Sequence, residues 1–431
     1  MRLTALLVVL ALIGAACSGA ESSPADSGDG TVAGMLVASD VERGDPQAPE
    51  SDVDRVAAGQ REFAAALYGR LSPTGNLVFS PVSVYTALAM AYTGAASTTA
   101  AEMASMLGAN LTSADFHAAM NALDQALAAR NREATEFEGA IELSIANSLW
   151  GQEGMEFEPE FLDLLARHYG SGMRVVDFIE AAAREEARQA INAWVAGETN
   201  DRIDELLQEG VLDSMVRLVL VNAVYLNAAW QTPFDEAATS DQPFVLLDGS
   251  ERSVPTMSQE LTLPYATDSG WQAIRLPYAG NELGMLIVVP DAGEFEEVAD
   301  RLAGGLLDEV SSRLSATTVR LNLPKFEIRS QIGLVPPLQS MGLEEATSDR
   351  ADFSGMTGAK DLFISDVIHE AWISAHEAGT EAAAATAVMM SLTAAPLDPV
   401  VLSVDRPFLF ALEDVETGSV LFMGRVVDPG A

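Results

Sequence analysis

The chain has 431 residues, of which 48% are hydrophobic and 20% are charged, and this ordinary globular composition excludes disorder over most of its length. Its 63 acidic and 24 basic residues give a net charge of -39, and a surface of that sign repels phosphate backbones. The composition therefore argues against nucleic-acid binding, while acidity alone identifies no partner.

The N-terminus is typical of an export signal. Arg2 precedes an apolar run from Leu6 to Ile13 that is too short to span a membrane, and small residues lead to Cys17. Residues 1–16 resemble a bacterial lipoprotein signal peptide, with Cys17 as the lipid attachment site, although that family usually has Leu where this chain has Gly14. We expect a secreted or cell-envelope protein, anchored through Cys17 or released without a lipid.

The segment after the signal predicts a tether. Residues 17–52 are rich in Ser, Gly, Pro, Asp and Glu, and such a composition buries too little apolar surface to order itself. The sole cysteine lies at the start of this segment, so no disulfide can form within the chain. Without repeats or a second linker, residues 53–431 are predicted to form one domain.

Helical patterns dominate the first part of that domain. Apolar residues recur at helical spacing from Val53, and Pro81 stands where a helix begins. Thr99 and Glu102 have the spacing of a capping box, in a helix that Gly108 would close.

Strand patterns follow and dominate the end. Alternation begins at Ile141, "MLIVVP" ends at Pro290, and "VRLNLPKFEI" alternates again from Val319. Two apolar stretches around Glu416 to Gly418 predict a hairpin. Helices mixed with mainly antiparallel strands, in no regular βαβ rhythm, predict an α+β fold with more than one sheet.

Motifs of catalysis and cofactor binding are absent from the sequence. His369-Glu370 and His376-Glu377 both lack a second His four residues after the first, so neither forms the zinc motif HExxH. There is no GxSxG, phosphate loop or CxxC, and the only cysteine lies outside the predicted domain. We therefore expect no metal, no cofactor and no enzymatic activity, although a Ser-His-Asp triad from distant segments stays open.

Nine segments, in order along residues 53–431, resemble the serpins, a family consisting mostly of protease inhibitors. They are "NLVFSPVSV" (76–84), "ANSLW" (146–150), "INAWVAGETNDRIDELL" (191–207), "LVLVNAVYLNAAW" (218–230), "LPYAGNELGMLIVVP" (276–290), "LPKFEI" (323–328), "ADFSGM" (351–356), "ISDVIHEAWISAHEAGTEAAAAT" (364–386) and "RPFLFALEDVETGSVLFMGRVVDP" (406–429). The resemblance implies a serpin fold with three β-sheets, eight or nine helices and an exposed reactive-centre loop. It also implies a monomer that traps a serine protease covalently, since the cleaved loop inserts into the main sheet; a non-inhibitory serpin that binds or chaperones other proteins is the alternative.

The hinge of such a loop matches a run of small residues. A surface helix is the plain interpretation of an alanine run, because Ala is the best helix former. The resemblance instead assigns the hinge to Glu377, Gly379, Thr380, Glu381, Ala382, Ala383, Ala384, Ala385 and Thr386. In a strand, one face carries Thr380, Ala382, Ala384, Thr386 and Val388, and we expect that face to be buried on insertion.

Other family positions carry over individually. The polar cluster beneath the centre of the main sheet matches Ser80, Ser83, Asn222 and His369, which we interpret as a gate to sheet opening; ordinary polar core packing is the alternative. Trp230 and Glu377 match positions near the point where the loop enters.

The reactive bond is assigned by distance along the chain. In the family it usually lies sixteen residues past the Glu that Glu377 matches, which selects Thr393 and Ala394, with Met390 and Leu392 as alternatives. No Lys or Arg occurs between Asp361 and Asp405, so we expect targets of the elastase, chymotrypsin or subtilisin type rather than trypsin-like enzymes. So few basic residues also argue against a heparin-like cofactor.

Overall fold

The computed structural model describes residues 34–71, 74–135, 138–381 and 399–431. The predicted export signal, Cys17, the hinge residues from Ala382 onward and the candidate reactive bonds lie outside these ranges.

The described residues form ten α-helices. They are α1 (Glu50–Leu71), α2 (Pro81–Tyr92), α3 (Ser97–Met106), α4 (Ser113–Ala128), α5 (Pro159–Tyr169), α6 (Ala181–Glu198), α7 (Phe295–Asp300), α8 (Leu306–Arg313), α9 (Val335–Ser340) and α10 (Ser354–Thr357), with short 3-10 helices at Glu236–Ala238 and Arg301–Gly304. Pro81 begins α2 as predicted, and the Ser80 hydroxyl caps that helix by accepting from the Ser83 N–H.

The described residues also form sixteen strands. They are β1 (Met35–Val37), β2 (Leu77–Phe79), β3 (Ile141–Gln152), β4 (Met173–Val176), β5 (Leu218–Ala229), β6 (Ser240–Val245), β7 (Glu251–Asp268), β8 (Trp271–Pro277), β9 (Leu283–Pro290), β10 (Ser315–Pro324), β11 (Phe326–Gly333), β12 (Asp366–His376), β13 (Gly379–Thr380), β14 (Val400–Ser403), β15 (Phe408–Asp414) and β16 (Val420–Val426). The predicted α+β class is confirmed, and β15 and β16 pair antiparallel as the predicted hairpin.

The strands form two hydrogen-bonded sheets, which pack face to face. The seven-stranded sheet has the order β1-β4-β3-β5-β13-β12-β11. The nine-stranded sheet has the order β14-β10-β7-β8-β9-β15-β16-β2, with β6 also paired to β7. Apolar residues of both sheets share one core cluster, while α6 packs on the opposite face of the seven-stranded sheet through residues such as Ile191 and Trp194.

Three details differ from the expectations. Two sheets stand where three were expected, because the 18-residue strand β7 pairs with β6 and β10 in one part and with β8 in another. The described residues contain ten α-helices rather than eight or nine, since very short helices such as α10 are included. The predicted strand from Val319 is two strands, β10 and β11, one in each sheet.

The predicted capping box is wrong. Helix α3 begins at Ser97, and its N-cap residue Ala96 makes no side-chain hydrogen bond. Thr99 is buried and its hydroxyl accepts instead from the Asp352 N–H, while the Glu102 carboxylate accepts from the Glu345 N–H. Both side chains that the local pattern assigned to the cap therefore bond to residues far along the chain instead.

The predicted tether is also wrong over its second half. Residues 34–49, which we name the strap, lie against the domain, and α1 already begins at Glu50. Strand β1 pairs antiparallel with β4 at the edge of the seven-stranded sheet. Beyond β1, Ser39 donates to Asp163 of α5, and Arg43 bonds to Asn121 and Asp124 of α4. These long-range contacts supply the order that the composition of the strap does not.

Candidate functional site

The two central strands of the seven-stranded sheet, β5 and β12, are separated at one end. Strands β5 and β12 pair directly in parallel, from Val219 with Asp366 to Val224 with Ala371. At the other end β13 lies between them, with Gly379 opposite both Ala229 and His376. The first residues of the predicted hinge therefore already occupy a place inside the sheet.

Gly379 fits this place because it has no side chain. Its φ of 155° is one that other residues rarely adopt, and a Cβ would lie only 2.1 Å from the Ala228 carbonyl oxygen. The backbone of β13 can therefore approach β5 only with glycine at this position.

Thr380 is buried within the sheet. Its side chain points to Tyr278, and the two hydroxyl oxygens are 2.6 Å apart. The Tyr278 ring in turn stacks on Trp230 at a centroid distance of 4.5 Å. Only 1% of the Thr380 surface is exposed, so a small β-branched side chain fits where a long or charged one would be buried without a partner.

Glu381 follows β13 and is the last residue described before position 399. Its φ of 54° lies in the left-handed region, which non-glycine residues seldom occupy, and its carboxylate pairs with Arg202. Burial raises the pKa of Glu381, although the Arg202 guanidinium opposes the shift. A strand that continued β13 through this residue would need an extended backbone there in place of the left-handed one.

Polar and aromatic residues at the start of the predicted hinge and next to it hold the turn between β12 and β13. The Trp230 indole donates to the His376 carbonyl at 2.8 Å, and the Glu377 carboxylate binds Lys325 and accepts from the Thr239 hydroxyl, each at 2.8 Å. Burial alone would raise the pKa of Glu377, but the Lys325 ammonium and the Thr239 hydroxyl outweigh it and lower the pKa. His376 contributes through its backbone carbonyl here, and its Nδ1 accepts from the Ala378 N–H.

The four residues predicted as a gate meet in one buried cluster. His369 of β12 lies opposite Asn222 of β5, and its Nδ1 bonds to the Asn222 side-chain oxygen. Its Nε2 accepts from the Ser80 backbone N–H at 2.8 Å. The cluster therefore ties β5 and β12 to the start of α2 at the level where the two strands still pair directly.

The cluster has a fifth member that was not predicted. Asn147 of β3 lies opposite Asn222, and its side-chain oxygen accepts from the Ser83 hydroxyl at 3.1 Å. The alternation from Leu143 through Ile145 places Asn147 on the same face of β3, which was the available signal. The gate thus spans three neighbouring strands.

The geometry of the gate is that of a structural network and not of a triad. The His369 Nε2 accepts a backbone N–H, so it is occupied and cannot take a proton from a serine hydroxyl. Complete burial lowers the pKa of His369 to about 3, which keeps the ring neutral at physiological pH. Among the described residues the Asn222 amide nitrogen has no hydrogen-bond partner, and such a buried group typically costs about 1–3 kcal/mol, so the cluster is imperfectly satisfied.

In the described parts of the chain, no group of three or more His, Cys, Asp or Glu side chains could hold a metal ion. No helix within those same ranges has the length and apolar character needed to cross a membrane.

Comparison with known proteins agrees with this architecture. The family model described as "Serpin (serine protease inhibitor)" matches residues 58–429. The chain is a serpin. It is 36% identical over 390 residues to Leukocyte elastase inhibitor A of Rattus norvegicus, covering 88% of this serpin and 100% of the relative.

Two further relatives extend the comparison. An uncharacterized serpin-like protein of Thermococcus kodakarensis is 38% identical over 371 residues, which cover 85% of this serpin and 84% of that protein. The native structure of the thermophilic serpin tengpin superposes with a TM-score of 0.80 at 27% identity, covering 92% of this chain and 99% of tengpin.

Proposed function

We propose that this serpin is a suicide-substrate inhibitor of serine proteases. The observation that carries the proposal is the position of β13. Gly379 and Thr380 already pair with β5 on one side and β12 on the other. The residues that follow can therefore extend β13 as a strand between β5 and β12.

The mechanism follows from strand pairing and from ordinary protease chemistry. The target protease attacks the loop and forms an ester between its serine and the carbonyl of the cleaved bond. The cut loop then continues β13 into the sheet, which is strand addition within one molecule. The attached protease is carried across the molecule and distorted before water releases it.

The residue types of the hinge suit rapid insertion. Alternation along a continued β13 places Ala382, Ala384 and Thr386 on the buried face with Thr380. Each is small or β-branched, so none imposes the cost of burying a charge or a long side chain. Slow insertion would let hydrolysis of the ester release an active protease.

The target class follows from the residues available for cleavage. Thr393-Ala394 is the proposed bond, with Met390 and Leu392 as alternatives, and no basic residue lies between Asp361 and Asp405. Proteases of the elastase, chymotrypsin or subtilisin type accept such uncharged residues. The similarity to a leukocyte elastase inhibitor supports the same class.

A panel of four proteases tests this function. Residues 34–431 are mixed with elastase, chymotrypsin, subtilisin and trypsin, and the products are separated on denaturing gels. A covalent band with any of the first three and none with trypsin is expected, and the mass of the released C-terminal peptide identifies the bond. Cleavage by all of the first three with no covalent band contradicts inhibition and favours a non-inhibitory serpin, whose heat stability would rise little after the cut.

We further propose that the protein is exported and anchored through Cys17. Support comes from the sequence of residues 1–16 alone. In cells given labelled palmitate, the full chain should take up label and fractionate with membranes, whereas Cys17→Ala should do neither. A wild-type protein without label would point to export in free form.

A further inference from the structure

A cavity of about 500 Å³ lies at the edge of the seven-stranded sheet that carries β1. Its walls come from five parts of the chain: the strap, the stretch 145–148 of β3, the end of α5 with the turn after it, Arg174 of β4, and the last turns of α6. Small-molecule sites commonly have volumes of about 300–1,000 Å³, so the cavity has the size of a ligand site.

The cavity exists because the sheet has a gap at this point. Strand β4 pairs with β3 only from Leu149 to Gln152, so the stretch 145–148 has β5 on one side and no described strand on the other. The strap runs past this gap without closing it. Both apolar and polar side chains therefore face the open space, among them Leu36 and Ile145 on the apolar side.

One cation in the wall, Arg174, interacts electrostatically with Glu198 of the same wall but makes no direct bond to it. The Arg174 guanidinium lies over the rings of Trp150 and Trp194, 5.5 and 5.7 Å from their centroids. In the described structure it forms no ion pair or hydrogen bond, whereas Arg43, the other arginine of the wall, is already bound to Asn121 and Asp124. Because two rings pack on Arg174 and Glu198 makes no hydrogen bond to it, its N–H groups stay available to an acceptor.

We propose that this cavity binds a small organic carboxylate with an apolar body. The carboxylate accepts hydrogen bonds from Arg174, for which a planar guanidinium is well suited, and the apolar body lies along Leu36 and Ile145. Glu198 also lines the cavity and disfavours a second negative charge there, so the preferred ligand carries one.

A ligand in the cavity would contact the gate cluster through β3. Asn147 lines the cavity and its side chain accepts from Ser83 of the gate. A ligand that binds the native state alone raises its stability by mass action. Octanoate should therefore raise the melting temperature of the uncut serpin as its concentration increases.

Titration calorimetry with octanoate and with 1-octanol tests the site. Octanoate should bind residues 34–431 with one site, and octanol, which has the same apolar body without the charge, should bind at least tenfold more weakly. Arg174→Gln should weaken octanoate binding at least tenfold, while Arg55→Gln, at an exposed arginine of α1, should leave it unchanged. Absence of octanoate binding, or equal binding of octanoate and octanol, would overturn the proposal.

Glu198→Gln supplies a second variant whose effect has the opposite sign. Its side chain is exposed, so the substitution should not disturb folding, and removal of its negative charge should tighten octanoate binding about threefold. Unchanged binding in both Arg174→Gln and Glu198→Gln would place the ligand elsewhere and reject this site.

Discussion

The seven-stranded sheet contains a short strand in two places, and the two places differ in the side chains that they accept. At the outer edge, β1 pairs with β4 alone, and Met35 and Leu36 remain 65% and 54% exposed. In the interior, β13 pairs with strands on both sides, and Thr380 is only 1% exposed. An edge can accept a strand with large side chains, whereas an interior place accepts only side chains that fit between two existing strands.

The largest expected effect comes from a charge at the interior place. Thr380→Arg should convert the inhibitor into a substrate, with the covalent product reduced at least 100-fold, because the guanidinium would be buried without a partner. Ala383→Arg is the matched control, since alternation puts that residue on the opposite face, and it should still trap protease. Densitometry of the gel bands measures both, and persistent trapping by Thr380→Arg would show that the interior place is less selective than its geometry indicates.

Removal of the edge strand should have the next largest effect. A chain that begins at Glu50 lacks the strap and should lose about 3 kcal/mol of stability in the uncut state, because each net hydrogen bond contributes about 0.5–1.5 kcal/mol. A chain that begins at residue 34 keeps the strap and is the control. Urea unfolding followed by circular dichroism measures the difference. Identical midpoints for the two chains would mean that the edge strand contributes no stability.

Acid should lower the free energy of unfolding through two buried histidines. His369 lies in the interior of the seven-stranded sheet, and His117 lies on α4, which binds the strap. Burial lowers the pKa of each to about 3, from an ordinary value near 6.5. The neutral ring is favoured by folding, so its contribution is complete above pH 6.5 and is lost as the pH falls from 6.5 to 3. At pH 5 the loss is about 2 kcal/mol for each ring.

Two variants separate these contributions. His117→Phe and His369→Gln should each flatten the dependence of the urea midpoint on pH between 6.5 and 4. A slope unchanged in both variants would assign the acid sensitivity to other groups.

The smallest effect is expected at the ion pair that Glu381 makes just after β13. Arg202 is half-exposed and pairs with Glu381, and ion pairs of this type contribute about 1 kcal/mol or less. Arg202→Ala should free Glu381 to become extended and raise the inhibition rate by less than threefold. Arg320→Ala, which breaks a similar pair with Glu260 on the other sheet, should not change it. A slower Arg202→Ala variant would mean that the ion pair assists insertion.

Much of the site inside the seven-stranded sheet could be predicted from sequence, because burial there restricts the residue types. Gly379 occupies a place where no side chain fits, and Ser80, Ser83, Asn222 and His369 are polar residues within strongly apolar segments. Such departures from the local pattern are visible in the sequence.

The edge could not be predicted in the same way. The strap has no apolar periodicity, and β1 is a three-residue strand whose existence depends on β4, which lies far along the chain. The cavity at Arg174 was missed for a related reason, since the gap beside β3 arises from the unequal lengths of two strands. Asn147 was missed although its alternation with Leu143 and Ile145 was available.

The strap has a mechanical consequence for the widening of the sheet. Neighbouring strands lie about 4.8 Å apart, so each full strand that enters beside β5 displaces one half of the sheet by about that distance from the other half. The strap is hydrogen-bonded to β4, α4 and α5 at once. These three elements are thereby tied into one block, and a widening sheet should move that block as a unit relative to β12.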